Sequence, residues 1–176
     1  MKDLLTDMDE LEKMMTDEVG TVIVQSPNYY GYIEDVKKYE ELTHSIKKNY
    51  LIMSADPMSL GLLKKPSEYN VDVVVGEAQQ FGVNLQYGGP YLGYMCFTDE
   101  FVRKFPGRVV GQTTDEDGKR SFVLTLSARE QHIKRDRATS NICSNQGVNL
   151  LAASIYLSLL GKAGIKEVAT QSLQKA

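Results

Sequence analysis

Four groups of residues in this 176-residue chain have the types and spacings that could do chemistry. The most distinctive is Arg129-Glu-Gln-His-Ile-Lys-Arg-Asp-Arg-Ala-Thr-Ser-Asn-Ile-Cys143. Its cations Arg129, Lys134, Arg135 and Arg137 precede Thr139, Ser140 and Asn141, residues of helix N-cap type. Together they could hold phosphate or carboxylate between guanidinium groups and free backbone N–H groups. A solvated basic helix running into an ordinary cap accounts for the same residues equally well. In Ser26-Pro-Asn-Tyr-Tyr-Gly31 an Asn amide and freed backbone groups are available to a ligand, but Pro, Asn and Gly are also what a plain turn uses, and the turn is the favoured reading. Asp56 follows an apolar run, where it could pair with a cationic ligand nitrogen or, as favoured, cap the next segment. Gly76-Glu-Ala-Gln-Gln-Phe-Gly82 through Gly88-Gly-Pro90 is a polar, Gly-rich excursion, longer than a mere connection needs to be.

Other chemistries lack their signatures. The sequence has no Walker loop, no Gly-x-Gly-x-x-Gly and no Gly-x-Ser-x-Gly elbow, and neither His44 nor His132 stands in a metalloprotease helix pattern. Cys96 and Cys143 have no companion Cys or His at zinc spacings, so no metal is expected, and both are read as reduced and partly buried.

Elements that could position these groups follow from the hydrophobic pattern. Leu4, Leu5, Met8, Leu11, Met14 and Met15 mark an amphipathic helix over 3–16 with an acidic outer face. Thr21–Gln25, Tyr50–Ser54 and Val71–Val75 read as strands, with a helix over 34–48 between the first two and a partly helical segment over 59–68 before the third. Near-continuous apolar strands alternating with helical patterns indicate a parallel sheet covered on both faces. Tyr91–Phe97 reads as a further buried strand, and Thr98 as the N-cap of a short helix. Arg108–Gln112 and Arg120–Leu126 flank a polar turn and predict an antiparallel arm. A strongly basic segment over 128–137 and an apolar helix over 149–162, ending at Gly161 or Gly164, complete the chain. The expected divisions are an acidic helix at 1–18, an α/β part at 19–107, a hairpin arm at 108–127, and a basic segment with a helix at 128–176. Open α/β sheets place ligands beyond the carboxyl ends of their strands, which is where Asn28, Asp56 and the 76–90 excursion fall.

Twenty Lys and Arg against twenty-three Asp and Glu leave a net charge of -3, which gives no reason to expect nucleic-acid binding. Residues 1–18 hold seven acids and two lysines, so the remainder is slightly basic. Leu150 to Leu160 is interrupted by two serines and falls short of the roughly 20 residues that span a bilayer, so no membrane segment is expected. With no basic region leading into an apolar stretch at the N-terminus, a cytoplasmic location is expected.

Taken together, Ala55-Asp-Pro-Met-Ser-Leu60, Val71-Asp-Val-Val-Val-Gly-Glu-Ala-Gln-Gln-Phe-Gly82, Gly88-Gly-Pro-Tyr-Leu-Gly93, Phe105-Pro-Gly-Arg108, Ala128-Arg-Glu-Gln-His-Ile133 and Arg137-Ala-Thr-Ser-Asn-Ile-Cys143 resemble the P-protein family of the glycine cleavage system. Within it they are most similar to subunit 1 of the two-subunit bacterial form of glycine dehydrogenase (decarboxylating). The resemblance runs from about Thr21 to Lys162. It implies part of the large domain of a fold type I pyridoxal phosphate (PLP) transferase, a three-layer α/β/α architecture with a mainly parallel sheet and a small antiparallel hairpin. It also implies that the complete subunit is much longer, so this chain is expected to be a fragment without activity of its own.

The family's catalytic subunit bears His-Lys just after the strand matching Val71–Val75, and that lysine carries PLP. Here the matching pair is Gln79-Gln80, and neither amide can form the covalent bond. The resemblance therefore implies a non-catalytic, lysine-less subunit, with PLP held covalently on the partner, subunit 2, and none on this chain. Asp56 matches the aspartate that would meet the pyridine nitrogen and is read as an inherited structural residue. The complete enzyme is expected to decarboxylate glycine and pass the aminomethyl group to the lipoyl H-protein. Active sites of this fold lie at subunit interfaces, so Arg137, Thr139, Ser140 and Asn141 are the expected contacts to the partner's PLP site. The competing reading is a free-standing α/β module that binds a small anion without catalysis.

Overall fold

The computed structural model describes residues 3–138 and 146–176, and the chain divides into two units, Met1–Phe97 with Gln146–Ala176, and Thr98–Asn145. In the first, Asp7 starts α1 (Met8–Met14) by accepting a hydrogen bond from the Glu10 N–H at 3.3 Å. This helix is shorter than the 3–16 stripe because Asp3 and Leu4 have positive φ. Met8, Leu11 and Met15 still pack on the core, and Met14 is left exposed.

The β-branched run forms β1 (Thr21–Ser26), followed by α2 (Val36–His44), β2 (Tyr50–Ala55), β3 (Val73–Glu77) and β4 (Gly93–Phe97). These strands make one sheet in the order β1-β2-β3-β4. The first two pairings are parallel, with Val24 opposite Met53 and Met53 opposite Val74. Alternate residues Val22, Val24, Leu51, Met53 and Ala55 face Val36 and Tyr39 of α2 and form the main core. On the opposite face Ile23 is 70% exposed.

The strand expected over Tyr91–Phe97 differs in two respects. It begins at Gly93, and it pairs antiparallel with β3, Val75 opposite Met95. No crossover helix lies between β3 and β4, and a chain that returns without one must pair antiparallel. As the outermost strand it leaves Met95 and Cys96 exposed, which corrects the expected burial of Cys96. Cys143 lies outside the described residues.

The 59–68 segment forms two 3₁₀ turns, Ser59–Gly61 and Pro66–Tyr69, the second ended by Asn70 at φ 51°. The apolar helix runs from Gly147 to Lys175 as α4, well beyond the expected end. Gly161 does break it locally, with φ 58° and ψ -170°, where glycine pays no Cβ penalty. The helix resumes because Ile165, Val168 and Ala169 pack against a second core of Met58, Ala78, Phe81, Leu92 and Ala153. Phe81 stacks on Tyr156 with centroids 6.0 Å apart. The helix is longer than the Leu150–Leu160 run, and among the described residues it is the one helix long and apolar enough to cross a membrane by length and composition only. Its outer side chains, Val148, Leu151 and Leu159 among them, are exposed.

In the second unit β5 (Val109–Thr114) and β6 (Arg120–Thr125) form the antiparallel hairpin, Val109 opposite Thr125 and Thr114 opposite Arg120. Its turn is closed by the Asp115 carboxylate, which accepts the Lys119 N–H at 2.8 Å, and by Gly118 at φ 76°. Thr98 makes no side-chain cap and precedes only a 3₁₀ turn, Asp99–Phe101. The basic segment forms a helix only over α3 (Gln131–Lys134), between two 3₁₀ turns, because Arg135 takes a positive φ that ends it.

Candidate site at the carboxyl ends of the parallel strands

The parallel strands β1, β2 and β3 end together, and the turns that follow them enclose a polar cavity of about 330 Å³. Gln25 and Pro27 close it from β1, Ser54 and Asp56 from β2, and Glu77, Gln79 and Gln80 from β3. This is where an open α/β sheet exposes the ends of its strands to a ligand.

Asp56 acts first as a cap. Its Oδ1 accepts the Met58 N–H at 2.8 Å and the Ser59 N–H at 3.4 Å, while Ser59 Oγ donates to the Asp56 carbonyl at 2.7 Å. The same Oδ1 accepts the Gln80 side-chain amide at 2.5 Å. The two residues singled out by the sequence, 24 positions apart, are thus joined across the ends of β2 and β3. Gln79 turns away, its amide donating to the Val83 carbonyl.

Glu77 was not anticipated. Its Oε1 accepts the N–H groups of Gln79 at 2.9 Å and Leu92 at 2.6 Å, which closes the 78–92 excursion back onto β3. The ends of that excursion are packed, with Ala78, Phe81 and Leu92 buried in the second core, while Leu85 and Tyr87 in its middle are exposed.

Below the cavity floor, Tyr94 crosses from β4 under Gly76, and its hydroxyl donates to the Ala55 carbonyl at 2.9 Å. Burial, with smaller contributions from the charges of Cys96 and Asp56, pushes its pKa up to about 12, so the phenol stays a donor. A Cβ at Gly76 would collide with the Ala55 carbonyl oxygen and the Tyr94 ring. Glycine is required here by close approach.

The Ser26–Gly31 turn serves the fold. Asn28 Oδ1 accepts the N–H groups of Tyr30 and Tyr32 at 3.0 and 3.1 Å, and its amide donates to Leu4 O and to Glu34. Buried Glu34 accepts in addition from the Thr6 N–H and the Tyr39 hydroxyl. Burial, partly offset by a hydrogen bond to Thr6 and reinforced by the Glu34 charge, pushes the Tyr39 pKa up to about 12.

Of the four cations in the basic run, Arg129 is committed to structure. It donates to the carbonyls of Arg103, Phe105 and Gly107 at 3.2, 2.5 and 2.7 Å. Arg137 is exposed in the turn after α3, while Thr139, Ser140 and Asn141 lie outside the described residues. Among the described residues no three His, Cys, Asp or Glu side chains stand close enough to hold a metal ion.

The glycine cleavage system P-protein family matches residues 2–176. A probable glycine dehydrogenase (decarboxylating) subunit 1 of Geobacillus thermodenitrificans (strain NG80-2) is 54% identical over 172 residues, covering 98% of this chain and 38% of the relative. The protein of the same name in Bacillus thuringiensis (strain Al Hakam) is 53% identical over 175 residues, covering 99% and 39%. This chain therefore spans about two fifths of the length of these relatives. In the crystal structure of an inhibitor-bound glycine decarboxylase (P-protein), the matched region is 42% identical with a TM-score of 0.86, over 92% of this chain and 37% of that one. The cysteine desulfurase CsdA of Escherichia coli, at 13% identity and a TM-score of 0.58 over 91% and 37%, shares the fold alone. A match over residues 2–176, together with the parallel sheet and the small antiparallel hairpin in the expected order, means that the chain belongs to the glycine cleavage system P-protein family.

Proposed function

We propose that this chain is part of the non-catalytic first subunit of a two-subunit glycine dehydrogenase (decarboxylating), and that it works in the cytoplasm. The observation that carries this reading is the Gln80 amide bound to Asp56 at 2.5 Å. The residues present do not fit covalently held PLP. The position expected to supply an amine holds an amide instead, and that amide, on Gln80, donates to Oδ1 of the carboxylate expected to meet the pyridine nitrogen. In this reading the Asp56–Gln80 pair is a brace between β2 and β3, and the cofactor resides on the second subunit. The complete enzyme decarboxylates glycine and transfers the aminomethyl group to the lipoyl H-protein.

The contribution of this chain is then to shape the partner's site from across the interface. Arg137, with Thr139, Ser140 and Asn141, supplies those contacts, and the exposure of Arg137 supports the assignment. Thr139→Ala with Ser140→Ala, in a complete two-subunit enzyme, is expected to lower glycine turnover and PLP retention.

The subunit assignment is tested by adding PLP to the chain alone and with its second subunit. The absorbance between about 300 and 500 nm is recorded, followed by borohydride reduction and peptide mass analysis. The expected result is a covalent adduct on one lysine of the second subunit and no site-specific adduct on this chain. A single stoichiometric adduct here would make the chain catalytic and overturn the reading.

A further inference from the structure

The second unit holds a cluster of cations that the function proposed above leaves unused. Arg129 spans three backbone carbonyls of the 103–107 loop, and its Nε lies 3.5 Å from the Glu130 carboxylate. This clamp fixes the loop immediately before Arg108, which lines an open cavity of about 720 Å³. His132 of α3 and Arg135 of the following turn line the same cavity, together with Glu130, Gln131 and Asp136. The charge of Glu130 is met by Arg129. The remaining walls present two guanidinium groups and one imidazole against a single carboxylate, Asp136.

Arg135 also has backbone angles of φ 58° and ψ -125°. Glycine takes up that conformation freely, whereas a residue with a Cβ holds it under strain. An arginine in a glycine-favouring conformation, with its side chain on a cavity wall, is the pattern expected where the side chain has a use. Guanidinium forks match the oxygens of phosphate two at a time, and an imidazole adds a further donor. We propose that Arg108, His132 and Arg135 form a binding site for a small phosphate-type dianion, either free or as the phosphate end of a larger molecule. The site is independent of which subunit carries PLP.

The chain has only two histidines, His44 in the first unit and His132 in the second, so proton NMR of their ring resonances reads the site against an internal reference. The full chain is titrated with inorganic phosphate, and separately with glycerol 3-phosphate, at fixed pH and ionic strength. A saturable shift of His132 with His44 unmoved is expected, and the tighter of the two ligands identifies the source of the anion. Arg108→Gln is expected to weaken binding roughly 10- to 100-fold, as for a lost charge-assisted hydrogen bond.

Arg135→Gly separates binding from structure. It should weaken the anion to a similar extent while the melting temperature stays level or rises, because glycine relieves the strained angle. The proposal is overturned if His132 and His44 move in parallel. It is equally overturned if both variants bind phosphate as the parent does, or if Arg135→Gly lowers the melting temperature and leaves the titration unchanged.

Discussion

Replacing Gly76 by alanine tests how the cavity floor is built. The added Cβ would meet two groups at once, the Ala55 carbonyl oxygen on β2 and the Tyr94 ring from β4. The carbonyl lies on a central strand of the sheet and can hardly retreat, so its contact remains as strain, while the ring is pushed away and the 2.9 Å bond from its hydroxyl to Ala55 O is lost. Overpacking of this kind costs about 1–3 kcal/mol, and a broken hydrogen bond adds about 1. The expected loss for Gly76→Ala is therefore about 2–4 kcal/mol, read as a lower urea midpoint at unchanged slope. Tyr94→Phe alone should cost about 1 kcal/mol, since it removes only the hydroxyl. Combined with Gly76→Ala it should cost little more, because the ring has already left its acceptor, which gives a coupling of about 1 kcal/mol between the two sites. Strictly additive losses, or a Gly76→Ala loss below about 0.5 kcal/mol, would refute the reasoning.

Three further outcomes follow from the same structure. Asp56→Ala should cost about 1–2 kcal/mol through the lost cap, and Asp56→Asn, which keeps an accepting oxygen, clearly less; equal urea midpoints for the two variants would count against the capping role. Glu34→Ala strands the Thr6 N–H and removes the carboxylate acceptor of the Tyr39 hydroxyl, so it should cost about 2–5 kcal/mol and raise hydrogen exchange at Thr6, whereas exchange equal to the parent's would contradict this. Burial opposes the charged form of His44, but hydrogen bonds to Asp72 at 3.0 Å and Glu40 at 3.3 Å outweigh it and raise the pKa above 6.5. A raised folded pKa gives stability that is full below pH 6.5 and fades as the pH climbs through the folded value. The melting difference between parent and His44→Ala should accordingly be larger at pH 5.5–6 than at pH 8.5, and a difference growing with pH would be incompatible with it.

The site was legible in part. Asp56 and Gln80 stood out by residue type and by resemblance, and they meet at 2.5 Å. Glu77 and Tyr94 did not stand out, because their roles depend on Leu92 and Ala55, partners 15 and 39 positions away. The role of Arg129 was hidden for a related reason. A guanidinium counted from sequence is a free cation, and only the folded loop reveals three carbonyls around it. Helix lengths failed where local pattern and tertiary packing disagreed. Leu4 and Leu5 lie on the helical stripe but outside α1, and residues 162–175 extend α4 past a glycine because the second core holds them.

By itself the sequence determined the order of strands and helices, the parallel start of the sheet, the hairpin and the family. Those properties are written in hydrophobic period, turn residues and contiguous motifs, all local to the chain. Tertiary structure decided the direction of β4, the exposure of Cys96, the commitment of Arg129 and the Asp56–Gln80 bond. Each depends on which backbone groups and side chains from distant positions come within a few ångströms of one another, and local pattern carries no record of those distances.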